Sequence, residues 1–167
     1  STKLELIAHL NSKADFIIVG GGIANTFIKS QGFNVGESLV EHGLIEVAKD
    51  LFDSGKIILP NKVIVADSID SNSSIIKNID SLSSSDKVFD INLSSNMLEI
   101  LKNSKTILWN GPIGVFEKEP FQNGTHQLAK TIAESKAFSL AGGGETIAAI
   151  NKFINKDEVS YCSTGGG

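Results

Sequence analysis

Arginine is missing altogether: all 15 basic residues in this 167-residue chain are lysine. Without a guanidinium there is no planar fork to grip a carboxylate or phosphate at two points. Any anion must then be held by main-chain amides, by lysine or through a metal ion. Cysteine is nearly missing too. The single thiol, Cys162, rules out an intramolecular disulfide and a cysteine-based zinc site, and it suits a reducing compartment, so a cytoplasmic location is expected. No apolar run is long enough to span a bilayer, and residues 1–11 carry Lys3, Glu5 and His9 among their apolar positions, unlike a signal peptide. A basic surplus is also lacking. The formal charge of −4 argues against nucleic acid or an anionic membrane as partner.

Glycine is present in informative excess, because nine of the 16 stand in three triplets, at 20–22, 142–144 and 165–167. The chain is of single-domain length and can bury a real core. Leu4, Ile7 and Leu10 follow helical spacing. The run 16–19 is a continuous apolar strand that stops at the first triplet, and 24–31 reads as a helix with Gly32 as its C-terminal stop. Leu44, Val47, Ala48 and Leu51 mark a second helix. Residues 56–59 and 62–66 read as strands separated by Pro60-Asn61. Residues 68–85 hold eight serines and no regular apolar period, so a long, mobile loop or insertion is expected there. Beyond it, 87–91 reads as a strand, 95–101 as a helix, 106–109 as a short buried strand, and 125–135 as a helix capped by Thr125. A strand at 138–141 meets the second triplet, a helix covers 145–153, and a strand covers 159–162. This alternation predicts an α/β fold: a doubly wound, mostly parallel sheet with helices on both faces, a Rossmann-like three-layer sandwich. Right-handed crossovers would bring the loops after the strands, and with them the triplets, to one edge of the sheet.

Glycine at a strand end lets a ligand approach the backbone N–H groups, and a helix starting there favours a phosphate. Gly142-Gly143-Gly144-Glu145-Thr146 fits this best. A carboxylate beside a phosphate repels it unless a divalent cation lies between, and Mg²⁺ commonly takes one or two carboxylates plus phosphate oxygens. Glu145 is therefore either metal-associated or a favourable first-turn acid. Known phosphate motifs do not match. Asn25 stands where a dinucleotide fingerprint needs its third glycine, and the surroundings of Gly55-Lys56 are not a P-loop. His9, His42 and His126 form no catalytic set, no serine elbow is present, and Cys162 reads as an inert residue of a buried strand. Phe89, Trp109 and Phe138 read as core, with Phe89 close enough to a strand end to line a pocket.

Four stretches together, residues 18–27, 106–117, 141–149 and 160–167, resemble the C-terminal, nucleotide-binding domain of phosphoglycerate kinases, in order over nearly the whole chain. The resemblance implies phosphoryl transfer between 1,3-bisphosphoglycerate and ADP with Mg²⁺, in glycolysis, with ADP or ATP as the bound nucleotide. By it, the adenine would lie against Gly21 and Gly22 with Phe89 and Pro112 nearby, Glu117 would accept from the ribose hydroxyls, and Asn110 would reach the phosphates. Gly143, Gly144, Glu145 and Thr146 match the phosphate and metal segment, with Glu145 as the metal residue. Gly165, Gly166 and Gly167 match the triplet that helps hold the transferring phosphoryl group. Such a reaction needs donors, Mg²⁺ and alignment rather than a general base.

The chain departs from the family pattern in four places. Glu145 stands where Asp is usual, Asn92 where Gly is usual, and 68–85 matches poorly. The Arg-rich N-terminal domain that binds 3-phosphoglycerate is the largest absence, so the chain is expected to be a fragment without kinase turnover of its own, from an enzyme expected to be monomeric. A non-catalytic nucleotide-binding module is the alternative expectation, and a nicotinamide oxidoreductase a distant third.

Overall fold

Short apolar strands that stop at glycine or an amide, each followed by a helix, generate most of the architecture. The computed structural model describes residues 2–163. In chain order the elements are α1 (Thr2–Asn11), β1 (Ile17–Ile18), α2 (Gly21–Ser30), α3 (Ile45–Phe52), β2 (Ile57–Ile58), β3 (Lys62–Ala66), β4 (Ile75–Asn78), β5 (Lys87–Asn92), α4 (Ser95–Asn103), β6 (Thr106–Asn110), α5 (Asn123–Glu134), β7 (Phe138–Gly142), α6 (Gly144–Phe153) and β8 (Tyr161–Ser163). β1 and β2 pair in parallel, and so do β6, β7 and β8 in that order. α5 and α6 supply the crossovers that parallel neighbours require. The fold is the expected α/β class, with parallel sheets flanked by helices.

The segment 68–85 differs from its expected loop. It contains β4, which runs antiparallel to β3 from Val65↔Ile75 to Lys62↔Asn78, and β3 pairs on its other side with β5, giving an antiparallel sheet of order β4-β3-β5. Consecutive Ile75 and Ile76 are 62% and 60% exposed, so β4 shows no inward-outward alternation for a sequence reading to find. Its partner supplies the order, since Val63, Ile64 and Val65 are all buried. The return to β5 is tied down by Asp86, which pairs with Lys77 at 2.7 Å and accepts from the Ser83 N–H at 2.8 Å.

Other boundaries move for physical reasons. α2 starts inside the first glycine triplet rather than at Ala24. α5 starts at Asn123, two residues before the expected cap Thr125, whose hydroxyl instead accepts from the Ile113 N–H at 3.2 Å. β6 is half-buried rather than fully so. Ile107 and Trp109 enter the core with Ala141, whereas Leu108, Phe138 and Tyr161, expected inside in the case of Phe138, lie on the opposite face at 54–58% exposure. Cys162 sits half-buried on the last strand of that sheet, not in a buried one.

Two apolar clusters hold these layers. The larger joins Ile28, Val63, Ile91, Met97, Trp109, Phe116 and Ile150, and the smaller packs α1, α2 and α3 over Ile57 through Leu4, Phe27 and Ala48. Exchanging Asp86 for Asn should remove the tie to Lys77, costing about 1 kcal/mol locally. Hydrogen exchange at the amides of 76–78 should then quicken while that of β7 stays unchanged; unaltered exchange at β4 would refute this role.

Candidate functional site

The chain leaves β6 through Asn110 and Gly111 and turns at once, because Gly111 has φ +106, a conformation that residues with a Cβ rarely adopt. From there to Phe116 the backbone is fastened from several directions. The Trp109 indole N–H donates to Gly111 O at 2.8 Å, and Gly111 N–H donates to Thr146 Oγ1 at 2.7 Å. Ile113 is held on both sides: its N–H donates to Thr125, and its carbonyl accepts from Gly21 N–H at 3.4 Å. A Cβ on Gly20 would stand 2.6 Å from Ile113 Cγ2, so that glycine is required by close approach. Val115 N–H donates to Phe89 O at 2.9 Å, and Lys152 Nζ donates to Phe116 O at 2.9 Å.

This loop brings two helix N-termini together. Gly111 is tied to the first turn of α6 and Ile113 to the first residue of α2, and two residues span at most about 7 Å. Neither helix has a side-chain cap. Their unfilled amides and dipoles therefore reinforce each other beside residues 111–113. Gly143 enters α6 with φ +96, and no atom lies within 4 Å of where a Cβ would stand on Gly144 or Gly21, so both helix starts are open to a ligand. Lys3, reaching over from α1, donates to both the backbone and side-chain oxygens of Asn110. An ammonium group thus joins the two dipoles in a chain that is acidic overall.

The expected residues fall around this cradle. Gly21, Gly22, Asn110, Pro112, Gly143, Gly144 and Glu145 lie on the two helix starts and the loop between them, and Phe89 is tied to the loop through its carbonyl and packs at a tilt against Phe121, ring centres 4.8 Å apart. Glu117 is exposed at the loop's far end. Asn110 also donates to Gly142 O at 3.3 Å, which cross-links the ends of β6 and β7. Thr146 is fully buried and its hydroxyl serves Gly111, leaving the backbone as its means of meeting a ligand. Gly165, Gly166 and Gly167 lie outside the described residues.

Several contributors escaped the sequence reading. Lys3 looked like any lysine on an amphipathic helix. Leu39 is 76% exposed and approaches within 3.1 Å of a Cβ placed on Gly22, making an apolar wall at the start of α2. Asp90, an acid between Phe89 and Ile91 in an apolar strand, was the one omission with a visible signal.

The expected metal residue, Glu145, is a single exposed carboxylate in the first turn of α6. Among the described residues no three His, Cys, Asp or Glu gather around one point. That suits a hard cation taking one carboxylate and drawing its other ligands from phosphate and water, as Mg²⁺ does, and not a caged structural metal.

The family model for phosphoglycerate kinase matches residues 1–167. This chain belongs to the phosphoglycerate kinase family. It is 50% identical to the phosphoglycerate kinase of Francisella philomiragia over 175 residues and 50% identical to that of Vibrio campbellii over 170, covering all of this chain but 45% and 44% of those proteins. The solved phosphoglycerate kinase structure from Coxiella burnetii superposes with a TM-score of 0.94 at 43% identity, covering 99% of this chain and 45% of that one. The structure from Pyrococcus horikoshii gives 0.81 at 30% identity, covering 98% and 44%. The chain thus spans less than half the length of these family members. No helix among the described residues is long and apolar enough to cross a membrane.

Beneath the loop, Asp90 is 1% exposed, and its carboxylate accepts from Ile91 N–H at 2.9 Å and Gly124 N–H at 2.8 Å. Burial pushes its pKa from 3.8 up to about 7, against those two bonds, which pull it down. Between those values the folded protein binds a proton that the unfolded chain has released. Stability from this group is therefore full below the unfolded pKa and is lost as pH rises through the folded one, with a slope of up to about 1.4 kcal/mol per pH unit. Urea midpoints measured from pH 4 to 8 should contain this decline, and Asp90→Asn should flatten it. Parallel curves for the two proteins would show that Asp90 titrates normally.

Proposed function

We propose that this chain is the nucleotide-binding part of a glycolytic phosphoglycerate kinase, holding Mg²⁺-ADP or Mg²⁺-ATP at the joined starts of α2 and α6. The observation that carries the reading is the pair of bonds from Gly111 to Thr146 and from Gly21 to Ile113, which set two uncapped helix N-termini beside one loop. Polyphosphate is the anion such an arrangement suits best. In this reading adenine rests on Gly21 and Gly22, with Leu39, Phe89 and Pro112 as its apolar walls. Glu117 accepts from the ribose hydroxyls. Asn110, Lys3 and the amides of Gly143, Gly144, Glu145 and Thr146 meet the phosphates.

Mg²⁺, when bound through Glu145, supplies neutralisation of the phosphate oxygens. The chain's own contribution is fixed N–H donors and one ammonium, aimed where charge collects as the phosphoryl group passes between ADP and 1,3-bisphosphoglycerate. Gly165, Gly166 and Gly167 take the role of steadying that group. The second substrate, 3-phosphoglycerate or 1,3-bisphosphoglycerate, would be held by a basic domain outside these residues, in a cytoplasmic and monomeric enzyme. A non-catalytic nucleotide-binding module is favoured by one observation alone, Glu145 in the place of the family's usual Asp.

Titration calorimetry of the chain with ADP, in excess Mg²⁺ and again in EDTA, tests the reading. Saturable binding that tightens with Mg²⁺ is expected, with no turnover of 1,3-bisphosphoglycerate by these residues alone. Exchanging Glu117 for Ala should weaken ADP by about 1–3 kcal/mol through lost ribose hydrogen bonds. A folded chain that ignores ADP would end the proposal.

A further inference from the structure

Among the described residues Asp90 is the only buried carboxylate, and the nucleotide reading leaves it without a task. Its surroundings are built closely around it. A Cβ on Gly114 or on Gly124 would collide with Asp90 Oδ1, so both chains approach the carboxylate as nearly as backbone can. Gly114 belongs to the loop that carries Pro112 and Glu117. Gly124 is the second residue of α5, a helix whose own N-cap residue, Gln122, offers no side-chain bond. Asp90 supplies that bond from another strand, 34 residues away in sequence. The neighbouring Thr125 hydroxyl then accepts from Ile113 N–H, so the helix start that Asp90 secures is itself fastened to the loop.

We propose that Asp90 is a positioning residue: its carboxyl group holds the Gly124 N–H and packs against Gly114, fixing the 111–117 loop and thereby setting nucleotide affinity. The clasp acts on the bases of Phe89, Pro112 and Glu117 rather than on the nucleotide. It rests on the nucleotide reading for its effect on affinity but not for its effect on the loop. Burial in the packed site raises this carboxyl to about 7, so ionisation opposes the packing: the loop loosens and affinity falls as pH rises through that range.

Other charges near the clasp are committed elsewhere or unpaired with it. Lys87 of β5 lies 3.8 Å from Glu37, Lys118 after the loop pairs with Asp70 at 3.2 Å, and His126 of α5 stacks on Phe153 at 4.7 Å. Lys29 of α2, Lys62 of β3, Glu117 and Glu119 make no ion pair with Asp90 among the described residues. The carboxylate is therefore governed by burial and by two backbone donors.

Trp109, the only tryptophan, reports the loop directly through its indole bond to Gly111 O. Without nucleotide, its emission and its indole N–H resonance should titrate with the same midpoint as the Asp90 carboxyl carbon in NMR, and Asp90→Asn should abolish the transition. With ADP, affinity of the wild-type chain should fall between pH 6 and 8 by about tenfold relative to that of Asp90→Asn, the ADP titration common to both cancelling in the comparison. If the Asn variant does not fold, the matched midpoints in the wild-type chain still decide. A Trp109 signal indifferent to Asp90 titration, or identical ADP profiles for the two proteins, would overturn the proposal. A loop that titrates with Asp90 in a chain that binds no ADP would uphold the clasp and reject the nucleotide reading.

Discussion

The backbone from Gly111 to Phe116 cannot move without breaking bonds to β5, β6, α2, α5 and α6, and the arrangement of the site depends on that constraint. Apart from the bond from Phe116 N–H to Gly114 O, the hydrogen bonds of its peptide groups run to other elements. Buried backbone donors and acceptors that lose partners cost free energy, so this loop acts as a fixed joint between layers. Small residues make the joint geometrically allowed. Gly20 lets Ile113 approach, and Gly114 and Gly124 let two chains close over Asp90.

The joint also explains how an acidic chain without arginine gathers positive potential. Two helix starts are brought to one place by bonds to residues only two apart, and Lys3 is drawn in by the oxygens of Asn110. In the proposed reading, main-chain amides and a single ammonium take the place of an arginine fork. Because the donors are backbone groups on rigid elements, little reorganisation is needed when an anion arrives, which is the property phosphoryl transfer draws on.

Much of the fold was readable from one dimension. Apolar runs ending in glycine marked β1, β6 and β7, Gly32 marked a helix limit, and alternation of strand and helix implied parallel pairing. β4 was not readable because its isoleucines face solvent on both sides and its order comes from β3. The start of α5 was misjudged because its cap comes from Asp90, remote in the chain. Among site residues, the glycines and Asn110 carried local signals, whereas Lys3 and Leu39 had none, being ordinary residue types made special by what lies across from them.

Local chemistry alone decided most element types, β4 excepted, and the places where the backbone must turn, since these follow from side-chain size, charge and periodicity within a few residues. The tertiary structure alone decided which turns meet, that Thr146 serves the loop rather than an open pocket, that Phe138 faces outward, and that an aspartate in β5 is buried beneath Gly114 and Gly124. Those outcomes depend on pairings between residues more than 20 positions apart, for which sequence neighbours supply no force.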